Sequence, residues 1–546
     1  MSATTKTPPP AQFPPLEQSN GSGTRPQRGL AWGLVALCLL GWAVRLPLLA
    51  RFPLREDEAI YAYWALHFLH EDPLFLTVWP DKPPLFLWTL AAFLGVARPE
   101  DALQAEALAR WVNVAASVLT IPLIGAIARR WWGAPAGWVA AAGMAFNPYA
   151  IAFAPTVYTD TLLVLGGVAA LACAVCRRWF WAGVWLGAAI MTKQQGLAYV
   201  PLLLGIWWTL GRDPTTEARP AALARLVGGA LLLVLPIIYW DSLRWAVAPS
   251  PWDLAQRNYG PLQAVALIEW PARLAAWGEW IWYLAGAWWV WGVWSVGLVL
   301  GLALRAPRSS ASRWSVVWLA LWSLGFLALH VGTTVQIWDR YLLPLAPLFA
   351  LSLGWMWGRV GAQAQYWRWV GSQRRSIWVV GLALVGLLAQ PAWQAGQGRY
   401  PLGGDHGDYA GLHQALGWLD ANGGPRFVLY HRALGWHYPF YLFDDLRAGR
   451  VELRWFPNPP GLADNAAKTA YPPKYLIVPA WAAQPQLGLH LQTRGQTLQT
   501  RLVAGNFRVL EIVHAPQPLC RWCASRLPAV PWRLAQPVEP GMMSQP

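Results

Sequence analysis

The sequence predicts an α-helical polytopic membrane protein that carries a small α/β domain at its C-terminal end. Hydrophobic residues make up 56% of the chain and charged residues only 13%, whereas soluble proteins carry about 25% charged residues. Apolar stretches of about 20 residues recur, each long enough to cross a hydrocarbon core about 30 Å thick. These stretches predict about eleven transmembrane helices.

The arginine clusters set the predicted orientation. If the N-terminus is inside and the chain crosses the membrane eleven times, every cluster lies on the inner side, as the positive-inside rule requires. The net charge of +15 is then a topological signal, and no nucleic-acid partner is expected. Of the eight carboxylates between 111 and 399, only Asp213 and Glu217 map inside. We therefore expect a multi-pass protein of the plasma membrane with a cytoplasmic N-terminus and its functional groups on the outer face. The arginine clusters include Arg129 and Arg130, Arg177 and Arg178, and Arg374 and Arg375.

Composition divides the part of the chain before residue 400 into two regions. Residues 1–28 are rich in proline and polar residues and are predicted to form a disordered cytoplasmic tail. Residues 29–395 form the membrane domain, with a large first outer loop at 51–104. Within this loop, 57–70 and 83–96 have helical apolar spacing and predict helices along the membrane interface. Pro83 and Pro84 fit the first turn of the second helix.

The C-terminal region, 400–546, is polar and is predicted to be an extracytoplasmic α/β domain. Tyr409–Leu419 has helical spacing, with Asn422-Gly423-Gly424 as a stop signal. Cys520 and Cys523 lie in this region, where a disulfide could persist, and a single pair provides only half of a structural zinc site. Short β-rich runs predict strands at Arg426–His431, Val451–Phe456, Lys474–Ala480, Leu489–Arg494 and Phe507–Val513.

Charged and polar residues that packing does not require occur at four places on the predicted outer face. Ionisable groups next to lipid are costly and are usually retained for function. Helix termini offer an alternative explanation for the acids, because the helix dipole favours negative charge at the first turn. The four places are Asp57-Glu58; Asp81-Lys82; Tyr158-Thr159-Asp160 together with Lys193; and Asp339-Arg340-Tyr341.

Five short motifs in these regions resemble those of the dolichyl-phosphate-mannose-type glycosyltransferases, which are integral-membrane enzymes of the C-type glycosyltransferase fold. The group includes protein O-mannosyltransferases and the aminoarabinose transferase of lipid A. The resemblance covers roughly 30–395. The motifs are the acidic pair after the first span, Lys82-Pro83-Pro84-Leu85, Tyr158-Thr159-Asp160-Thr161, Thr192-Lys193 and Arg340-Tyr341-Leu342-Leu343-Pro344.

The resemblance implies an inverting transfer of a sugar from a polyprenyl-phosphate donor to an acceptor at the outer face. The acceptor hydroxyl must lose its proton as it attacks the anomeric carbon, so a carboxylate is needed as general base. Asp57 occupies the position that the family uses for this role. Its neighbour Glu58 could share or exchange the role, and Asp160 stands where the family has a second acid.

The leaving group is a lipid phosphate, so cations placed beside it stabilise the transition state. Candidates are Lys82, Lys193 and Arg340, with the Tyr341 hydroxyl as a further donor. Snorkelling towards lipid headgroups is the alternative for the two lysines. Asp339 could pair with Arg340 or hold it in place. Several acids converge, so a divalent metal is possible, but none is predicted, because the mannosyltransferase-like members are generally taken not to need one. Further residues expected to line the site are Asp81, Tyr61, Tyr158 and Asp339.

The resemblance leaves open the identity of the acceptor and the identity of the donor sugar. Lys82 follows Asp81 in this chain, where the lipid A branch tends to have Glu, so the acceptor could be a protein, a lipid or a glycan. A transporter or flippase of a lipid-linked or anionic substrate is the main alternative, and a non-catalytic assembly subunit is another. A transporter needs polar groups near the bilayer midplane, whereas here they gather at one face, which favours an enzyme.

Overall fold

The computed structural model describes residues 25–210, 218–304, 310–364, 373–469, 471 and 473–515. The chain divides into two compact units, residues 1–407 and 408–546. Most of the predicted tail and the Cys520–Cys523 pair lie outside the described residues. The first helix begins at Arg25, inside the segment predicted as tail.

The described part of the first unit is built from helices, which differ in length because proline and polar caps interrupt the apolar stretches. They are α1 (Arg25–Ala43), α2 (Glu56–His70), α3 (Leu85–Ala97), α4 (Ala102–Trp132), α5 (Ala134–Ala145), α6 (Pro148–Phe153), α7 (Thr159–Val175), α8 (Trp179–Thr192), α9 (Tyr199–Leu210), α10 (Arg219–Arg244), α11 (Pro251–Tyr259), α12 (Trp270–Trp282), α13 (Trp288–Ala303), α14 (Ser310–Gly332), α15 (Leu345–Ala364) and α16 (Gln373–Gly396).

Several of these helices have the length and composition of membrane spans. Among the described residues, four apolar stretches are long enough to cross a bilayer: 102–132, 219–244, 314–332 and 339–360. Other apolar helices are shorter, so eleven crossings stays a prediction. The apolar stretch 135–154 is divided between α5 and α6, because Asn147 caps α6 by accepting a hydrogen bond from the Ala150 amide.

The first outer loop forms α2 and α3, close to the predicted positions. Helix α2 begins after Arg55, whose backbone is extended, and its first turn is acidic: Glu56, Asp57 and Glu58. Negative charge at this position is stabilised by the helix dipole. Pro84 is the N-cap residue of α3, so the two prolines precede the first turn instead of lying within it. Both proline rings thus stiffen the approach to the helix.

Small residues bring α8 and α10 into close contact. A Cβ added at Gly183 would lie 1.9 Å from the Leu226 carbonyl oxygen, and one at Gly229 would lie 2.0 Å from the Phe180 carbonyl oxygen. Only glycine permits such an approach of two helix backbones. The contact fixes α8, and therefore the turn after Thr192 that carries Lys193.

The second unit contains a five-stranded sheet in the order β2-β1-β3-β5-β4. Strands β1, β2 and β3 are parallel, whereas β5 pairs antiparallel with both β3 and β4. The elements are α17 (Leu412–Asn422), β1 (Phe427–His431), α18 (His437–Tyr441), α19 (Phe443–Arg447), β2 (Val451–Trp455), α20 (Pro459–Lys468), β3 (Lys474–Pro479), α21 (Leu487–Gln492), β4 (Gln496–Ala504) and β5 (Phe507–His514).

One predicted strand of this unit is wrong. Leu489–Arg494 is mostly the helix α21, and the strand follows it at Gln496–Ala504. Leu487 and Leu491, four residues apart, are both buried in the core cluster with Val428 and Leu476. That spacing places both leucines on one face of a helix, and packing on the sheet decides the conformation.

Candidate active site

Asp57 and Arg340 form the ion pair at the centre of the candidate site. Asp57 lies in the first turn of α2, and its Oδ2 is 2.7 Å from Nη2 of Arg340. The Asp57 side chain is 38% exposed and that of Arg340 is 10% exposed. A carboxylate that is oriented by a guanidinium and still reaches solvent is accessible to an incoming hydroxyl group.

The backbone around Arg340 is fixed by its neighbours. Asp339 does not pair with the guanidinium: its Oδ1 accepts the Arg340 amide at 2.7 Å and its Oδ2 accepts the Gly403 amide at 3.1 Å. Gly403 has φ +89°, a left-handed conformation that glycine adopts readily. The Arg340 guanidinium carbon lies 4.9 Å from the Tyr158 ring centroid and 5.0 Å from that of Trp338. The arginine is therefore held between two aromatic rings.

Lys193 and Asp160 form a second, buried pair. Lys193 Nζ donates to Asp160 Oδ1 at 2.5 Å and lies 4.3 Å from the centroid of the Tyr341 ring. Asp160 is in the first turn of α7 and Lys193 directly follows α8. The structure therefore places the Tyr341 ring beside a cation.

Asp81 and Lys82 form a third pair, which two residues of α11 complete. Lys82 Nζ donates to Asp81 Oδ2 at 3.0 Å and to the Tyr259 hydroxyl at 2.8 Å. The Asn258 amide also donates to Asp81 Oδ2, at 3.3 Å. The Gln194 amide donates to the Asp81 carbonyl at 3.0 Å, which ties this loop to the turn that carries Lys193.

The three pairs are close enough to influence one another electrostatically. Burial lowers the pKa of Lys82 below its usual value, the Asp81 charge opposes this shift, and the charges of Arg340 and Asp160 also act on it. Burial likewise lowers the pKa of Lys193 to about 8, against the opposing charge of Asp160. Burial alone would raise the pKa of Asp81, but the Lys82 charge and the hydrogen bonds it accepts outweigh burial and lower it.

The lowered pKa of Lys193 predicts an alkaline limit to anion binding at this site. Lys193 is a cation below about pH 8 and loses its charge as the pH rises through that value. If the protein uses the polyprenyl-phosphate sugar that the motif resemblance implies, kcat/KM for that donor, which reports ionisations of the free enzyme, should fall above pH 8. Lys193→Arg should move this fall to higher pH because a guanidinium keeps its proton. A wild-type profile that stays flat to pH 10 would contradict the role.

Glu58 is separate from these pairs, although it is next to Asp57. It is fully buried; its Oε2 accepts the Arg55 amide and its Oε1 accepts the Val157 amide, both at 2.9 Å. Burial raises the pKa of its carboxyl group. Because both oxygens bind backbone amides, the geometry favours an anchoring role that joins α2 to the segment before α7.

Removing the Glu58 carboxyl group should destabilise the fold. Glu58→Ala would leave the amides of Arg55 and Val157 without their acceptor, and an unpaired group as buried as the Val157 amide costs about 1–3 kcal/mol. We expect a clear fall in the thermal unfolding midpoint of the purified protein in detergent. Glu56→Ala, at an exposed position of the same turn, is the matched control. Equal midpoints for the two variants would argue against the anchoring role.

Tyr61 and Tyr158, also predicted at the site, are both buried there. Burial raises the pKa of Tyr61 well above its usual value, so the hydroxyl stays protonated. Its ring makes an edge-on contact with Phe86, at 6.0 Å between centroids.

Asn258 and Tyr259 were missed by sequence analysis, since a tyrosine in a tryptophan-rich loop has the pattern of an interfacial anchor. Among the described residues, no group of three or more His, Cys, Asp or Glu side chains is arranged to hold a metal ion.

Comparison with known proteins supports the assignment of the fold. The model of the family described as dolichyl-phosphate-mannose-protein mannosyltransferase matches residues 81–240, a range that contains Asp81, Lys82, Asp160 and Lys193. A search of curated proteins gave no match.

Solved structures of membrane enzymes resemble the chain over most of its length. ArnT from Cupriavidus metallidurans bound to undecaprenyl phosphate has a TM-score of 0.59 at 17% identity, covering 88% of this chain and 98% of that chain. The apo state of the same protein has a TM-score of 0.59 at 16% identity, covering 89% and 98%. The archaeal oligosaccharyltransferase AglB from Archaeoglobus fulgidus, in complex with an inhibitory peptide and a dolichol-phosphate, has a TM-score of 0.49 at 12% identity, covering 91% and 75%. The chain therefore has the C-type glycosyltransferase fold and is similar to the dolichyl-phosphate-mannose-protein mannosyltransferases, which confirms the resemblance read from its motifs.

Proposed function

We propose that the protein is an inverting glycosyltransferase that moves a sugar from a polyprenyl-phosphate donor to an acceptor at the outer face of the membrane. The observation that carries the proposal is the convergence of a partly exposed carboxylate, Asp57, with the cations Arg340, Lys193 and Lys82. A carboxylate beside several cations is the arrangement needed to deprotonate a nucleophile and to stabilise an anionic leaving group.

The proposed reaction is a single displacement. The acceptor oxygen forms a bond to the anomeric carbon while Asp57 takes the proton of the attacking hydroxyl group. The bond between the anomeric carbon and the phosphate oxygen breaks, and its electron pair stays on the lipid phosphate. Attack from the face opposite the leaving group inverts the anomeric centre. Such an attack needs a base and a phosphate site on different side chains, and here Asp57 is the proposed base and the cations are the proposed phosphate site.

The cations are proposed to act on the charge that develops during transfer. The donor is a phosphodiester with one negative charge, whereas the product is a phosphomonoester whose second pKa is about 6. Negative charge on the phosphate therefore grows along the reaction, and preplaced cations stabilise the transition state more than the donor. Each cation is paired with a carboxylate in the structure without ligand, so the phosphate must share the cations with these acids.

The donor class is supported by a solved structure of the same fold. ArnT, to which the chain is similar over 88% of its length, was crystallised with undecaprenyl phosphate. The apolar helices fit a lipid-linked donor that approaches from the bilayer. The location in the plasma membrane, the outward orientation of the site and the position of residues 400–546 outside the cytoplasm are part of this proposal.

Lipid analysis of cells tests the proposal directly. If the gene is deleted, we expect one polyprenyl-phosphate sugar to accumulate, because its consumption stops. Wild-type protein should restore the normal level, and Asp57→Asn should not. No accumulated lipid-linked sugar, or restoration by Asp57→Asn, would contradict the proposal. A transporter is not favoured, because the cation–carboxylate pairs of the candidate site lie at helix ends instead of in the middle of a span.

A further inference from the structure

The turn after α8 carries two consecutive glutamines that bind two different segments of the candidate site. Gln194 Nε2 donates to the Asp81 carbonyl at 3.0 Å, and Gln195 Nε2 donates to the Tyr341 carbonyl at 3.1 Å. Each of these carbonyls belongs to a residue that adjoins another cation of the site in the chain. The turn that begins with Lys193 is therefore tied to both segments that carry the other cations.

The backbone of this turn is fixed against α8. The Gly196 amide donates to the Lys193 carbonyl at 2.9 Å. A Cβ added at Gly196 would lie 2.5 Å from the Ala189 carbonyl carbon and from the Ile190 amide nitrogen, so only glycine lets the turn pack so closely on the helix. The two glutamine side chains therefore extend from a backbone that has little room to move.

The Tyr341 carbonyl needs a hydrogen-bond donor from outside its own turn. Asp339–Leu342 is a 3₁₀ turn, in which a carbonyl normally accepts from the amide three residues later. For Tyr341 that residue is Pro344, which has no N–H. Gln195 supplies the donor that the proline cannot, and so fixes the backbone of the turn that carries Arg340.

His330 orients the Gln195 amide. Its Nδ1 lies 2.7 Å from the Phe326 carbonyl oxygen, and its Nε2 lies 3.4 Å from Nε2 of Gln195. A carbonyl oxygen only accepts, so the proton is on Nδ1, and Nε2 accepts the second N–H of the amide. The backbone of His330 is itself held, because its carbonyl accepts the Trp277 indole N–H at 3.0 Å. The amide nitrogen of Gln195 is thus directed at Tyr341.

The consequence for Lys193 is electrostatic. Its Nζ lies 4.3 Å from the centroid of the Tyr341 ring, and an aromatic ring at this distance stabilises an ammonium ion. The contact exists only while the Tyr341 turn keeps its distance from Lys193, which the Gln195 hydrogen bond sets. The charged and titratable groups that act on Lys193 from the other segments are Asp160, Arg340, Lys82 and His330.

We propose that Gln194 and Gln195 are positioning residues that fix the separation of the three cations. Gln195 sets the distance from Lys193 to the turn that carries Arg340, and Gln194 sets the distance from Lys193 to the loop that carries Lys82. That this spacing serves a lipid phosphate rests on the proposed function, whereas the spacing itself does not. If the glutamines only stabilised the fold, loss of either hydrogen bond would have the same effect on the site.

Lysine NMR tests the role of Gln195 without any ligand. The chain has five lysines, so full-length protein labelled with ¹³Cε-lysine in lipid nanodiscs gives few signals, and Lys193→Arg identifies the signal of Lys193. We expect its titration midpoint in Gln195→Met to fall by about one pH unit from the wild-type value, because the ammonium loses its aromatic contact. Gln194→Met removes the same kind of hydrogen bond and should not lower the midpoint, since the Tyr341 ring stays in place.

Two further variants complete this test. Gln263→Met, at an exposed position in the loop after α11, is the control for replacing a glutamine. His330→Phe keeps a ring and removes the acceptor, so it should lower the midpoint by a smaller amount, and it decides the test if Gln195→Met does not fold. A wild-type midpoint in Gln195→Met and His330→Phe, or an equal fall in Gln194→Met and Gln195→Met, overturns the assignment of Gln195.

Binding of undecaprenyl phosphate separates this proposal from the proposed function. At neutral pH, Gln194→Met and Gln195→Met should each weaken binding about tenfold, because one cation is misplaced, and KM for the acceptor should not change. Wild-type affinity in Gln194→Met overturns the assignment of Gln194. If the expected lysine titrations are found but the wild type does not bind the lipid phosphate, the positioning of Lys193 by Gln195 stands and the donor site of the proposed function is rejected. If the wild type transfers sugar and both variants bind the lipid as it does, the proposed function stands and the positioning role is rejected.

Discussion

Asp57→Asn is expected to lower the rate of sugar transfer by about 10²–10⁴-fold, the usual contribution of a general base. The amide keeps the size and shape of the carboxyl group but cannot accept the proton of the attacking hydroxyl. Asp57 is partly exposed and forms its ion pair, among the described residues, with Arg340, so folding should be little affected. The measurement is transfer of labelled sugar from a polyprenyl-phosphate donor in membranes that contain equal amounts of each variant.

Glu56→Gln provides the matched control for this experiment. Glu56 precedes Asp57 in the same acidic helix turn and is exposed. If negative charge at the start of α2 merely stabilised the helix dipole, both variants would lose the same small amount of stability and neither would lose activity. Retention of near-normal transfer by Asp57→Asn would reject the catalytic role, whereas loss only in Asp57→Asn supports it.

Sequence motifs identified most of the charged residues of the candidate site but not their partners. Asp339 was expected either to pair with Arg340 or to hold it in place, and the structure pairs the guanidinium with Asp57. Asp339 binds two backbone amides instead. Motifs report which residue types occur along the chain, and the pairing depends on how α2 and the 339–342 turn meet in space. No local signal carries that information.

The same limit applies to Asn258, Tyr259 and Leu489–Arg494. Asn258 and Tyr259 reach the Asp81–Lys82 pair only because α11 folds back onto the first outer loop. Leu489–Arg494 has the composition of a strand, yet Leu487 and Leu491 pack as one helical face on the sheet. Helices α2 and α3, by contrast, begin and end within two residues of the predicted positions. Long apolar periodicity is therefore a stronger signal than a short apolar run.

Arg340→Ala is expected to lower kcat/KM for the donor by about 10²–10³-fold, the effect of removing one group that stabilises a developing anion. The guanidinium is the cation that touches Asp57 and lies between the rings of Tyr158 and Trp338. Arg340→Lys keeps the positive charge but loses the planar fork, so an intermediate loss is expected. The measurement is donor kinetics at a fixed acceptor concentration, with Arg257→Ala, at an exposed position of α11, as the control arginine.

Donor binding without turnover distinguishes the role of Arg340 from that of Asp57. If Arg340 binds the lipid phosphate, Arg340→Ala should weaken binding of a polyprenyl phosphate. Asp57→Asn should not weaken it, because loss of the Asp57 charge frees the guanidinium that the acid and the phosphate would otherwise share. If Arg340 served only to orient Asp57, both variants would bind the lipid phosphate as the wild type does. Equal affinities for all three proteins would therefore remove Arg340 from the phosphate site and leave it as a positioning residue for the base. If Arg340→Ala alone binds the lipid phosphate weakly, Asp57 is assigned to accept the proton and Arg340 to bind the phosphate.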